Sequence, residues 1–395
     1  MVYVVQHKEA KGTEISLDQF LTSDSNLSQV HKTRKYPGTI TLCYDTLPHG
    51  LYTPDYIQYL IQKLERFCEA YGFLSHQLQS HYRQFEIPKQ DGTNRTIYAP
   101  NTQLSKAQIA LRTIFEEDFR AGYHTSAFAY CKGRSPLLCI QRHQAAQSRW
   151  FLKLDFADFF GNTTFHFVIS QLVKIAPFSE VIKDERGNRF LRQALRLCFL
   201  NDGLPQGTPI SPMLTNLVMI PVDHEIANSL HSKGLTYTRY ADDILISGRT
   251  QFSPENIIRQ IRSILSKHHA PYRLKTQKTR FGSSNGRNWN LGLMLNHNNQ
   301  ITIGHKQHKL LKAMLNNFIL DYKNQKAWNM MQALQLMGYL AYYASIEPQN
   351  MKYMIHHFEE KYHISVHNML VKCIHEEALQ KKSNNQRLYT ANYKF

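Results

Sequence analysis

Three acidic residues stand where they can act on phosphate esters. Asp155 closes an apolar run, WFLKLD at 150–155, and Asp242 and Asp243 lie between apolar runs in YTRYADDILIS at 237–247. Two neighbouring carboxylates at a strand turn repel one another and resist burial. A divalent cation removes that cost, and hard oxygen ligands favour Mg²⁺, which completes its shell with phosphate oxygens. Two such ions, about 3.5–4 Å apart, clamp the attacking and leaving oxygens of an in-line displacement. Carboxylates from different strands must converge for this, so the long stretch between Asp155 and Asp242 is no obstacle. A plain hairpin turn would also carry an adjacent Asp pair. What separates the two readings is the ordered company of LKLDFADFF at 152–160 and GLPQGTPISPMLTN at 203–216.

Lysine and arginine total 47 against 30 aspartate and glutamate, a formal charge of +17. Such an excess suits a polyanionic partner, because each phosphate neutralised by Lys or Arg releases condensed counterions. Charge alone leaves a merely basic protein as the alternative. With 395 residues the chain is long enough for two or three domains. The most suspicious apolar segment, residues 333–346, is interrupted by Gln335 and falls short of the roughly 18 apolar residues a membrane span needs. The opening MVYVVQHKEAKG has neither the charged leader nor the small-residue cleavage site of a secretory signal, so the cytoplasm is expected. Six cysteines without a CxxC pair read as reduced, buried thiols rather than a disulfide framework or zinc ribbon. The histidines offer no convincing ligand set.

The elements that must position the three acids follow from periodicity. Helical spacing is expected over 54–80, 103–120, 163–175, 189–200 and 209–231, the last opening near Pro209 and Pro212. Strands are expected at 82–88 and 95–99 around Lys89-Gln90-Asp91-Gly92, and at 150–155. A hairpin of 236–240 and 244–247 should turn at Ala241-Asp242-Asp243. A strand pair, 290–295 and 300–303, has good turn chemistry between its members in Asn296-His297-Asn298-Asn299. From 305 to about 380 the pattern is helical, and the polar, basic stretch after it reads as a tail. Residues 1–50 read as an extension or capping arm.

From about Phe85 to about Asn350 these motifs, in order, resemble the reverse transcriptase family, in the bacterial branch related to retron and group II intron enzymes. The resemblance implies an α+β right-hand polymerase: an N-terminal extension and helical part of the fingers at 1–80, fingers and palm with an antiparallel palm sheet at 81–304, and an α-helical thumb with a basic tail at 305–395. It implies an RNA-directed DNA polymerase that uses two Mg²⁺ ions, an RNA template and deoxynucleoside triphosphates to extend a primer into a DNA product. Asp155, Asp242 and Asp243 would be catalytic metal ligands, with the backbone carbonyl of Phe156 completing one shell. Asp158 would stand beside the site rather than bind metal.

Nucleotide contacts would come from Lys89 and Arg95 of the fingers hairpin, from Phe156, from Gln206 near the sugar, and from Lys278, with Lys275 its neighbour in LKTQKTRFG. Phe160 falls where the family places a steric gate, an aromatic ring that excludes a ribose 2′-hydroxyl and so favours a DNA product. The reading from residues alone, that Phe159 and Phe160 are both core, stays open. Template and primer would meet Arg134 (beside Gly133), Gly207, Tyr240 and Gly292, the last in a primer-grip hairpin. Lys306, Lys309 and Lys312 would track the duplex. Retron enzymes usually carry Val-Thr-Gly near that grip, whereas this chain has Asn-Leu-Gly at 290–292. No endonuclease, RNase H or maturase-sized region is read, so a standalone, defence-associated enzyme working with a cognate noncoding RNA is expected. A template-independent or protein-primed polymerase of the same fold, a retron enzyme making multicopy single-stranded DNA, and a silent RNA-binding scaffold are the alternatives. Self-association is left open.

Overall fold

The computed structural model describes residues 3–4, 52–89, 92–286, 291–326 and 328–375. Most of the expected capping arm, Asn290 of the expected grip and the basic tail lie outside the described residues. The chain packs as two compact units, residues 1–286 and 287–395. The boundary expected at 304/305 thus falls at 286/287, and the short hairpin before the first C-terminal helix packs with the helices.

The strands are β1 (Tyr3–Val4), β2 (Tyr82–Pro88), β3 (Asn94–Pro100), β4 (Trp150–Asp155), β5 (Ile175–Ala176), β6 (Thr236–Tyr240), β7 (Asp243–Gly248), β8 (Arg280–Ser283), β9 (Met294–Leu295) and β10 (Ile301–Thr302). The centre of the first unit is an antiparallel sheet in the order β6-β7-β4-β8. Its central strands β4 and β7 are buried on both faces, as Phe151, Leu152 and Leu154 of β4 show. That is why they read as continuous apolar runs rather than as alternation. Helices Pro136–Ala145 and Ile220–His231 both pack against β6. β2 and β3 form a separate two-stranded hairpin in full register from Tyr82↔Pro100 to Pro88↔Asn94.

Several expected helices are shorter or divided, each for a local reason. The helix over 54–80 ends at Tyr71 and continues as two 3₁₀ turns. That over 103–120 becomes Thr102–Thr113 followed by a π turn at Ile114–Asp118. The expected helix at 163–175 is Phe165–Leu172. In place of 189–200 stand Phe178–Lys183 and Glu185–Arg196, parted by Asp184, whose side chain accepts from Gly187 N–H as an N-cap. The helix over 209–231 breaks at Met219 into Ser211–Val218 and Ile220–His231, because Pro221 cannot continue an α-helical ladder but fits a first turn. Helices Pro136–Ala145 and Pro254–Lys267 add to the expected set. Each opens on Ser-Pro, with Ser135 or Ser253 capping the first turn. The strand expected from residue 290 starts at Met294, since Leu291 and Gly292 have φ of 54° and 79°, outside the extended region.

The second unit holds helices Gly304–Lys323, Met330–Ile346 and Pro348–Tyr362, and residues 366–375 are helical as well. Leu311, Leu315, Phe318, Leu336, Leu340, Met354 and Phe358 share its core. Buried Glu347, between the last two helices, accepts from the Ile303 N–H at 2.7 Å and from Asn350 Nδ2 at 2.8 Å, and pairs with His308 Nε2 at 2.8 Å. Among the described residues no helix is long and apolar enough to cross a membrane.

Candidate active site

Asp155 is the last residue of β4 and Asp243 the first of β7, and the two are register partners. Directly opposed residues of an antiparallel pair project from the same face of the sheet. The hairpin tip is therefore Ala241-Asp242, one residue shorter than expected, because Asp243 already belongs to the strand. Ala241 takes a left-handed φ of 56°, and the Asp242 carbonyl accepts from Phe156 N–H at 3.0 Å, which ties the tip to the end of β4. All three carboxylates are thereby gathered at one end of the sheet.

The electrostatics of this cluster are unusual. Asp155 is only 5% exposed. Burial, then the charge of Asp155, pushes the Asp242 carboxyl above its ordinary range. Three ammonium groups offset the negative charge: Lys275 Nζ lies 2.8 Å from Asp155 Oδ1, Lys278 Nζ 3.2 Å from Asp155 Oδ2, and Lys153 Nζ 3.2 Å from Asp243 Oδ1. Burial alone would lower the Lys278 pKa, but its hydrogen bond to Asp155 and the carboxylate charges raise it. Lys275 stands off the hydrogen-bonding direction, so Asp155 Oδ1 is buried with no hydrogen bond among the described residues. A buried, negatively charged oxygen without a hydrogen bond is what a hard cation would satisfy. Among the described residues, however, no three His, Cys, Asp or Glu side chains close on one ion-sized point. The donor chemistry thus fits a divalent cation, while lysines take up the charge.

Around the carboxylates, Phe156, Phe159 and Tyr272 pack ring to ring within 5.6 Å, and Phe156 and Phe159 are core. Phe160 is only partly buried, so the two phenylalanines have different surroundings. The loop at 203–208 lies against both Phe160 and the β2–β3 hairpin: Leu204 N–H donates to the Phe160 carbonyl at 3.1 Å, and Tyr98 N–H to the Gln206 carbonyl at 2.8 Å. Gly207 has φ of 103°, and a β-carbon there would lie 2.6 Å from Ile97 Cγ2. Its lack of a side chain is what lets loop and hairpin meet.

A family model described as reverse transcriptase (RNA-dependent DNA polymerase) matches residues 87–358, well over half of the chain and spanning all three acids. The chain belongs to the reverse transcriptase family. It is similar to the retron Ec73 reverse transcriptase of Escherichia coli, with 27% identity over 292 residues that cover 70% of this chain and 87% of the relative. The retron Ec83 reverse transcriptase of the same organism is 25% identical, over 72% of this chain and 87% of its own. The retron Mx162 reverse transcriptase of Myxococcus xanthus is 30% identical, over 55% of this chain and 47% of its own. Among solved structures, telomerase from Candida albicans aligns over 83% of this chain and 66% of its own, with 11% identity and a TM-score of 0.38, too low to bear on function. This reverse transcriptase is an RNA-directed DNA polymerase with an α+β fold, acting on an RNA template and nucleotide substrates.

The remaining residues singled out from the sequence are spread more widely. Lys89 and Arg95 are exposed near the tip of the β2–β3 hairpin, with Lys89 Nζ 3.3 Å from Thr93 Oγ1. Tyr240 stands opposite Asp243 across the turn. Asp158 is exposed at φ 41°. Gly292 belongs to the second unit. Arg134, expected near the template, donates from its guanidinium to the carbonyls of His124, at 2.6 Å, and Ala127. The guanidinium fork satisfies two carbonyls of the loop at once.

Sequence reasoning passed over the group directly behind the turn. Arg239 is fully buried and forks onto the equally buried Asp223, Nη2–Oδ2 2.7 Å and Nε–Oδ1 2.9 Å, while Tyr237 OH donates to Asp223 at 2.7 Å. Its Nη1 donates to Asn216 Oδ1 and to the Ala241 carbonyl, both at 3.1 Å. The guanidinium therefore holds the carbonyl of the left-handed residue that makes the turn. An arginine inside the strand TYTRY just before the acidic turn and an aspartate inside IPVDHEI were the available signals, since buried charges come in pairs.

Proposed function

We propose that Asp155, Asp242 and Asp243 hold two magnesium ions over the end of a growing DNA strand copied from a cognate noncoding RNA. The observation that carries this is the register pairing of Asp155 with Asp243 beside Asp242, within a reverse transcriptase chain. When bound, the ions would acidify the primer 3′-hydroxyl and neutralise the triphosphate. The 3′-oxygen then attacks the α-phosphorus, the bond to the β-phosphate oxygen breaks, and pyrophosphate leaves. Lys275, Lys278 and Lys153 would give way to the metals and become free to face phosphates.

In this reading the first unit supplies fingers and palm and the helices of the second supply the thumb. Lys89, Arg95 and Lys278 meet the triphosphate, the carbonyl of Phe156 joins the metal shell, and Gln206 and Phe160 line the sugar. Gly207, Tyr240 and Gly292 meet template or primer. The retron relatives favour a dedicated RNA template over untemplated synthesis. A role in antiphage defence in the cytoplasm is inferred by analogy with bacterial enzymes of this family. The test is to sequence RNA that copurifies with the enzyme, together with the DNA made from it. A DNA complementary to one defined RNA supports the reading, and a homopolymer with no complement in that RNA refutes it.

A further inference from the structure

Tyr130 has a costly conformation for no apparent structural return. It is a bulky residue at φ 59°, where glycine or asparagine would be expected, and its ring remains 52% exposed. Its hydroxyl has no hydrogen bond among the described residues. The chain on either side is firmly held. Asn216 Nδ2 donates to the Ala129 carbonyl at 2.7 Å and lies 3.6 Å from Cys131 Sγ, and the Cys131 thiol donates to Ala129 O at 3.2 Å. Just upstream, residues 126–128 pair with β6: Arg239 N–H donates to Ser126 O at 2.7 Å, and Phe128 N–H to Arg239 O at 2.8 Å. The same Asn216 accepts from Arg239. The loop is thus built to keep the Tyr130 side chain in one place.

That place is beside Phe160. The two rings meet edge to face, 6.3 Å between centroids at 65°, and Phe160 meets core Phe159 in the same way at 5.8 Å. Burial, then the nearby Asp242 charge, raises the pKa of the Tyr130 phenol. Among the described residues Phe160 thus has two ring contacts, one with core Phe159 and one with exposed Tyr130.

We propose that Tyr130 is a specificity-determining positioning residue: its ring prevents Phe160 from swinging aside when a ribose 2′-hydroxyl presses against it. This rests on the reading of Phe160 as the sugar gate. A gate excludes only as well as it resists displacement, so selection against ribonucleotides depends on the pair of rings and not on Phe160 by itself.

The experiment measures kcat/KM for deoxy- and ribonucleotides in primer extension by the full chain and by Phe160→Ala, Tyr130→Ala, Tyr130→Phe and the Tyr130→Ala/Phe160→Ala double variant. Tyr130→Ala should raise relative ribonucleotide use roughly tenfold, mainly through a lower ribonucleotide KM. Tyr130→Phe should discriminate like the unaltered enzyme, and the double variant should be no more permissive than Phe160→Ala. Tyr130→Leu, which keeps bulk but loses the ring, serves in the same way should the alanine variant not fold. If Phe160→Ala admits ribonucleotides while Tyr130→Ala and Tyr130→Leu still reject them, the bracing role is wrong and the gate stands. If Phe160→Ala itself still rejects them, the gate reading fails and this inference with it.

Discussion

Asp155 and Asp243 face one another across β4 and β7 as register partners, so the sheet's own hydrogen bonds fix the spacing of two acids that lie far apart in the chain. Asp242 joins them through the carbonyl that accepts from Phe156 N–H. The backbone, more than any side-chain contact, makes this constellation.

Replacing Asp242 and Asp243 together by asparagine should leave the fold and RNA binding near normal and lower nucleotide incorporation by at least about 10³-fold, since the proposed metal clamp would supply several kcal/mol of the barrier reduction. Primer extension, with circular dichroism and RNA filter binding as controls, reads the result. Incorporation near the unaltered rate would remove the two-metal assignment.

The buried pair behind the turn should be sensitive to loss of one partner. Asp223→Ala strands the Arg239 guanidinium and should cost about 3–5 kcal/mol of stability. Asp223→Leu with Arg239→Met removes both charges and should cost less, while still lowering activity because the Ala241 carbonyl loses its donor. Denaturant unfolding decides this, and equal losses in the two cases would contradict the pairing.

Gly207→Ala should strain the loop by about 1–3 kcal/mol, because it places a β-carbon at positive φ and against Ile97 and the Tyr98 carbonyl. The expected signature is a raised KM for deoxynucleotides with a smaller change in melting temperature. An unchanged KM would show that the hairpin yields without cost.

The second unit should be acid-sensitive through Glu347. Burial alone would raise its pKa, but hydrogen bonds from Asn350, Thr302 and the Ile303 N–H, with the His308 charge, bring it below the ordinary 4.5. A carboxyl depressed in the folded chain contributes stability that is present above 4.5 and is lost as pH falls through the folded value. Thermal unfolding of Glu347→Gln should accordingly depend less on pH in the acid range than that of the unaltered chain. Parallel curves would rule Glu347 out as the source.

RNA affinity should weaken steeply with salt, by roughly 10³-fold between about 50 and 200 mM, if several lysines and arginines neutralise phosphates. A flat response in equilibrium binding would speak against a basic nucleic-acid groove despite the +17 charge.

The local elements were legible where one signal dominated. β4 runs over the residues its apolar run marks, and β2 and β6 likewise span the expected 82–88 and 236–240. The juxtaposition of Asp155 with Asp243 was expected from chemistry, while the pairing register that produces it is a tertiary property no short window encodes. The break at Met219 was missed because a long apolar period masks the single Pro221. The inward turn of Arg134 and the Arg239–Asp223 fork were hidden for a different reason: a basic residue near a motif looks the same in sequence whether it serves a ligand or its own backbone. Tyr130 could not be found from sequence, since its importance lies in a φ angle and a neighbouring ring.

Residues 126–128 zip onto β6 as a short additional strand, with Ala127 bridged to Arg239. For anyone assembling chimeras from related enzymes, this makes the segment around Tyr130 and the strand leading to the aspartates a single cassette. A crossover placed between them would join edges that never evolved to match, whereas one placed before residue 124 or after residue 248 would leave the seam intact.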